Sequence, residues 1–117
     1  MKVRVLLVDD HTAVREATAA MFGREAGFVV IGQATTMADA RPMLAKTDLL
    51  VVDLGLPDGF GGDLITELLE SNPRARALVL TASPDPADHE RARQCGAETV
   101  LSKITDLDRV VDAARRL

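Results

Sequence analysis

Apolar runs and helix-spaced segments alternate five times along the chain. Val3 to Val8, Phe28 to Gly32, Asp48 to Leu54, Ala77 to Ala82 and Thr99 to Ser102 are short and rich in valine and leucine, with turn residues around them. Such runs predict strands, and the most continuous of them predict strands covered on both faces, as in a parallel sheet. Between them the apolar positions follow helical spacing. Thr12 is placed to cap a helix containing Val14, Ala17 and Met21, and Thr35 or Thr36 to cap one containing Ala40, Met43 and Leu44. Pro42 falls inside that second helix, where it removes a hydrogen bond and crowds the preceding turn, so a short or kinked helix is expected. Leu64, Ile65, Leu68 and Leu69 give a third helix that stops near Asn72-Pro73. Pro86 opens a charge-rich fourth, running through Ala92 to Cys95 and closed by Gly96. Leu107, Val110, Val111, Ala114 and Leu117 mark the fifth and clearest stripe.

Strands alternating with helices over short connections imply an α/β architecture with a parallel sheet. The right-handed crossover rule leaves few arrangements. The expected fold is flavodoxin-like, a five-stranded parallel sheet in the order 2-1-3-4-5 with helices on both faces, as one domain over residues 1–117.

In an open parallel sheet the ligand crevice lies at the carboxyl ends of the strands. Four of the five predicted strands end in a residue able to do chemistry: Asp9-Asp10, Asp53, Thr81 and Lys103. Taken singly, each has a plainer use as a cap, a turn former or a surface charge. In the order 2-1-3-4-5, however, strands 1, 3, 4 and 5 are consecutive neighbours, roughly 4.8 Å apart. Three carboxylates so close repel one another by about 4 kcal/mol per pair at ~4 Å and an effective dielectric near 20. An all-oxygen set of this kind calls for a divalent cation, Mg²⁺ or Mn²⁺. With the Lys103 ammonium and the Thr81 hydroxyl it forms a set for holding a phosphoryl group, and Asp53 is placed to be the nucleophile. Gly55, two residues on, leaves its backbone open to close approach.

Composition narrows the classes. A net charge of −4 argues against direct nucleic-acid binding by this domain, and the lack of Trp and Tyr removes base-stacking platforms. The single Cys95 excludes an internal disulfide and reads as a small core residue. No signal peptide or membrane-spanning run is visible, so a cytoplasmic location without membrane attachment is expected.

With these residues in place, the chain resembles the receiver domains of two-component response regulators. The resemblance rests on Val8-Asp9-Asp10-His11, Asp53-Leu54-Gly55-Leu56-Pro57-Asp58-Gly59, Leu80-Thr81-Ala82, and Gly96-Ala97 leading to Leu101-Ser102-Lys103. The Asp-Asp-His and Leu-Pro-Asp-Gly variants, with no proline after Lys103, are most similar to the branch carrying LuxR-type helix-turn-helix outputs. The resemblance implies phosphotransfer from a sensor histidine kinase to Asp53, with an output, transcription, exerted through a domain outside this chain. It implies direct Mg²⁺ ligation by Asp10 and Asp53, a contribution from Asp9 through water, and one from the Gly55 carbonyl. Thr81 and Lys103 would bind the phosphoryl group. The only catalysis implied is of the domain's own phosphorylation and dephosphorylation, and a homodimer on phosphorylation is compatible with it.

Val100 departs from the family, which usually places Tyr or Phe three residues before the lysine. A β-branched Val cannot swing between buried and exposed states as a ring does. The expectation is that any signal passes instead through the loop stiffened by Pro84 and Pro86. Val100 also feeds the alternative, a pseudo-receiver acting as a phosphorylation-independent interaction module. A metal-dependent phosphohydrolase ranks lower because Gly55 stands where such chemistry usually places a second acid, and a flavin carrier lacks the aromatics. His11 reads as an exposed helix-start residue, His89 as part of a solvated face and Asp58 as a turn former; Arg109, Arg115 and Arg116 read as a solvated edge.

Overall fold

The computed structural model describes every residue from Met1 to Leu117. Five parallel strands form the sheet: β1 (Val3–Val8), β2 (Phe28–Ala34), β3 (Leu49–Val52), β4 (Arg76–Thr81) and β5 (Thr99–Ser102). Their spatial order is β2-β1-β3-β4-β5, the flavodoxin-like order expected from the alternation of elements. Helices α1 (Thr12–Arg24), α2 (Met37–Ala40), α3 (Gly61–Ser71), α4 (Pro86–Gln94) and α5 (Leu107–Arg115) make the crossovers.

Alternate strand residues go to opposite faces, which divides the core in two. Leu6, Val8, Leu50, Val52 and Val79 face Leu64, Ile65 and Leu68 of α3 and Ala92 of α4. Val5, Leu7, Val51, Leu78 and Leu80 face Phe22 of α1 and Val110 and Val111 of α5. Most of these side chains are wholly buried, and each contributes about 1.5–3 kcal/mol by leaving water. Phe22 and Phe28 meet edge to face, centroids 5.1 Å apart. No helix is long and apolar enough to cross a membrane.

Several local expectations change. The inward stripe of α1 runs through Thr18 and Phe22, and Ala17 is exposed. Thr18 is tolerated in the core because its hydroxyl donates to the Val14 carbonyl at 2.7 Å. His11, not Thr12, occupies the N-cap position of α1, and it makes no side-chain cap bond. Thr36 caps α2, accepting from the Asp39 amide at 3.1 Å. That helix is short, as Pro42 dictates, and continues as a 3₁₀ turn over Arg41–Lys46. Gly96 has φ +115°, a left-handed C-terminal turn that favours glycine. The loop after β3 contains a two-residue antiparallel ladder, Gly55-Leu56 against Gly59-Phe60, that the apolar pattern did not reveal.

Candidate functional site

Ladder hydrogen bonds run one residue past the regular strands and fix the site. The Asp9 amide donates to the Ala34 carbonyl and the Asp53 amide to the Val8 carbonyl, each at 3.0 Å; the Lys103 amide donates to the Thr81 carbonyl at 2.9 Å. Val8 pairs with Val52, so Asp9 and Asp53 leave neighbouring strands at the same level. Asp9, Asp53 and Thr81 are buried, at 6%, 4% and 2% exposure, in a molecule with few other buried polar residues. Asp10 lies on the open side of the cluster.

Lys103 closes the cluster from β5. Its Nζ donates to Asp53 Oδ2 at 2.8 Å and to Asp9 Oδ1 at 2.9 Å, and it lies 2.7 Å from His11 Nδ1. Burial pulls the ammonium's pKa down, but the hydrogen bonds and charges of Asp53 and Asp9 outweigh it and hold the pKa above its ordinary value. Three carboxylates against one ammonium still leave an excess of negative charge. Asp9, Asp10, His11 and Asp53 each bring a donor atom within 4.8 Å of the others, and this oxygen-rich, anionic set fits a hard divalent cation.

Thr81 and Gly55 line the same cleft, of about 260 Å³, with Asp53, His11, Ser83 and Asp88. Thr81 Oγ1 accepts from the Ser83 amide at 3.1 Å. Ser83 in turn donates from Oγ to Asp88 Oδ2 at 2.7 Å, and its carbonyl accepts from His89 Nε2 at 2.7 Å. His89 therefore ties the β4–α4 loop down and does not lie on a solvated face. The structure thus gathers Asp9, Asp10, Asp53 and Lys103 in direct contact or close by, with Thr81 and Gly55 on the cleft wall.

The wall also depends on residues the apolar pattern did not single out. Arg15 donates from a terminal nitrogen to the Asp9 carbonyl at 2.9 Å and steadies the end of β1. Its place one helical turn after His11 is the only sequence signal for that role. Asp58 is more than a turn former, since it accepts from the Met37 and Ala38 amides at 2.9 and 3.0 Å and so caps α2 from a separate loop. Within the chain itself, the close approach that requires a glycine is at Gly61. A Cβ on Gly61 would stand 1.9 Å from the Asp53 carbonyl oxygen, whereas one on Gly55 would meet nothing within 4 Å. Arg115 stays exposed, as expected of a solvated edge, and reaches Glu25 at 3.5 Å while lying over the Phe28 ring.

The chain is similar to several known proteins. The chain is 40% identical over 82 residues to the DNA-binding transcriptional activator DevR/DosR of Mycobacterium tuberculosis, covering 68% of this chain and 38% of that protein. It is 28% identical over 118 residues to the response regulator VraR of Staphylococcus epidermidis, covering 99% of this chain and 56% of that protein. The chain thus spans about half the length, or less, of these curated relatives. A solved two-component response regulator of the LuxR family, from Aurantimonas sp. SI85-9A1, superimposes with a TM-score of 0.88 at 29% identity, covering 99% of this chain and 84% of that one. The family model of the response regulator receiver domain matches residues 5–115, and the chain belongs to that family.

Proposed function

We propose that this domain accepts a phosphoryl group on Asp53 from the phosphohistidine of a sensor histidine kinase and passes the change to an output, transcriptional as in the relative DevR/DosR. The observation that carries the reading is the convergence of Asp53 with a 2.8 Å lysine partner and two further carboxylates at the carboxyl end of the sheet. Asp9, Asp10, Asp53 and the Gly55 carbonyl would hold Mg²⁺, which supplies charge neutralisation for the phosphoryl oxygens.

The chain's own residues account for the rest. A carboxylate oxygen of Asp53 attacks phosphorus, the bond to the donor nitrogen breaks, and an acyl phosphate forms on Asp53. The Lys103 ammonium, already on Asp53 Oδ2, stays at the reacting oxygens and offsets their charge. Thr81 Oγ1 accepts from Ser83, so its own proton is free to be donated to the phosphoryl group. The Thr81–Ser83–Asp88/His89 chain of hydrogen bonds then carries that rearrangement to α4. Val100 is half-buried and packs against the core beneath α3 and α4, where it provides no swinging ring.

Intact mass after incubation with acetyl phosphate and Mg²⁺ tests the reading. One phosphoryl group is expected on the wild type, and none on Asp53→Asn or with EDTA. A wild type that binds Mg²⁺ without taking phosphate would favour the phosphorylation-independent interaction module instead, with Val100 its mark. For the signal path, amide chemical shifts on phosphorylation are expected to change at Ser83, Asp88 and His89. Changes confined to the Asp53 pocket would remove the loop route.

A further inference from the structure

We propose that Phe60, clamped by Arg91, is the wall that keeps water from the acyl phosphate on Asp53, so that this pair sets the lifetime of the phosphorylated state. The inference rests on the reading of Asp53 as phosphoacceptor and goes beyond it in assigning two residues outside the carboxylates, Thr81 and Lys103.

The loop after β3 puts the ring in place. Gly55 and Phe60 are paired across the two-residue ladder, and both line the cleft with Asp53 and Thr81. Gly55 brings no side chain, so that side of the cleft falls to the ring. Leu54 also lines it but is only 3% exposed and is committed to the core, whereas Phe60 is half-buried and has surface to present. Asp53 is closed off elsewhere. Lys103 Nζ sits on its Oδ2 at 2.8 Å, and its carbonyl lies against Gly61. A water that reaches phosphorus therefore comes through the cleft.

Two neighbours hold the ring. A Cβ on Gly62 would collide with Phe60 Cε2, so the first turn of α3 lies directly against the ring edge. From α4, the guanidinium carbon of Arg91 stands 3.8 Å from the ring centroid, a cation over a π face. The nearby acids are engaged elsewhere, Glu90 with Arg93 at 3.9 Å and Asp88 with the Ser83 hydroxyl at 2.7 Å. Helix α4 buries only Ala92 within its span, so apolar packing fixes it weakly and the Arg91–Phe60 contact ties it to the start of α3. Asp88, which ends the Thr81–Ser83 chain, lies three residues before Arg91 on the same helix. The helix that senses Thr81 thus also holds the wall.

The step opposed is hydrolysis. A water oxygen bonds to phosphorus, and the bond from phosphorus to the Asp53 oxygen breaks with its electron pair staying on the carboxylate. The water protons leave with inorganic phosphate or pass to solvent. Excluding water slows this loss.

The decay of the phosphorylated protein, followed by intact mass in constant Mg²⁺ after acetyl phosphate is removed, tests the proposal. Phe60→Ala should shorten the half-life by about three- to tenfold, and Phe60→Leu, which keeps apolar bulk, should restore most of it. Arg91→Gln should shorten it by about two- to fivefold, the factor an exposed cation–π contact carries. Arg91→Gln should add nothing to Phe60→Ala, because it acts through the ring. A half-life unchanged in Phe60→Ala or in Arg91→Gln, or effects that multiply in the double variant, overturns the assignment while phosphorylation of Asp53 stands. If Phe60→Ala does not fold, Phe60→Leu takes its place in the cycle. Leucine has no π face, so a further shortening on adding Arg91→Gln to it overturns the pairing, and no shortening supports it. A wild type that takes no phosphate overturns the reading of Asp53, and the wall with it.

Discussion

At position 61 a single methyl group decides whether the end of β3 can meet the start of α3. The clash with the Asp53 carbonyl oxygen is with backbone, which cannot swing aside. Gly61→Ala is expected to lower stability by about 1–3 kcal/mol, seen as a lower urea midpoint at unchanged slope. Gly55→Ala, with open space around it, should stay within about 0.5 kcal/mol. Clearance of this kind depends on which chain segment passes by, so residue type alone did not single out Gly61. Lys103 is the other residue with a defined signature. Its pKa in the folded protein stands above the ordinary value of 10.5. Its contribution to stability is therefore full below that value and is lost as pH rises through the folded pKa. Alkaline titration of the denaturant midpoint should show this loss, and Lys103→Met should remove it.

Among the elements, α2 depends most on a partner. Four residues of helix cannot hold themselves together, and the first amides of this one are satisfied by Asp58 from the loop after β3. Those amides hold the Asp58 carboxyl below its ordinary value of 3.8. The cap is thus complete above that pH and is lost as pH falls through the lower folded value. Hydrogen exchange at Met37 and Ala38 should quicken in Asp58→Ala at neutral pH, with Asp58→Asn in between. Helix α1 shows the opposite dependence, on packing. Phe22 is fully buried against Phe28, and Phe22→Ala should cost about 3–5 kcal/mol. The apolar spacing put the α1 stripe through Ala17 because Thr18 counts as polar until its hydroxyl is seen bonded within the helix.

For the whole molecule, the site is a place where the fold stores electrostatic cost. Two nearly buried carboxylates, a third beside them and one ammonium are held at the rim of a sheet whose apolar core is otherwise complete. A cation that binds only the folded state adds stability by mass action, about 2.7 kcal/mol at one hundred times its dissociation constant. Mg²⁺ should therefore raise the melting temperature and EDTA restore the lower value. The rise should shrink in Asp10→Ala, whose carboxylate lies outside the lysine contacts. A melting temperature insensitive to Mg²⁺ in the wild type would count against a cation at this cluster.

The sequence by itself determined the strand–helix alternation, the sheet order and the residues at the strand ends, because each follows from local periodicity and from the chirality of crossovers. Asp9, Asp53, Thr81 and Lys103 were legible for the same reason, since a strand that ends in a polar residue announces where it leaves the core. Only the tertiary structure decided how those residues meet. The lysine bridge from Asp53 to Asp9, the reach of Asp58 to α2 and the clearance at Gly61 join residues on different elements or loops. Their distances are set by the packing of the whole chain, and no local pattern encodes them.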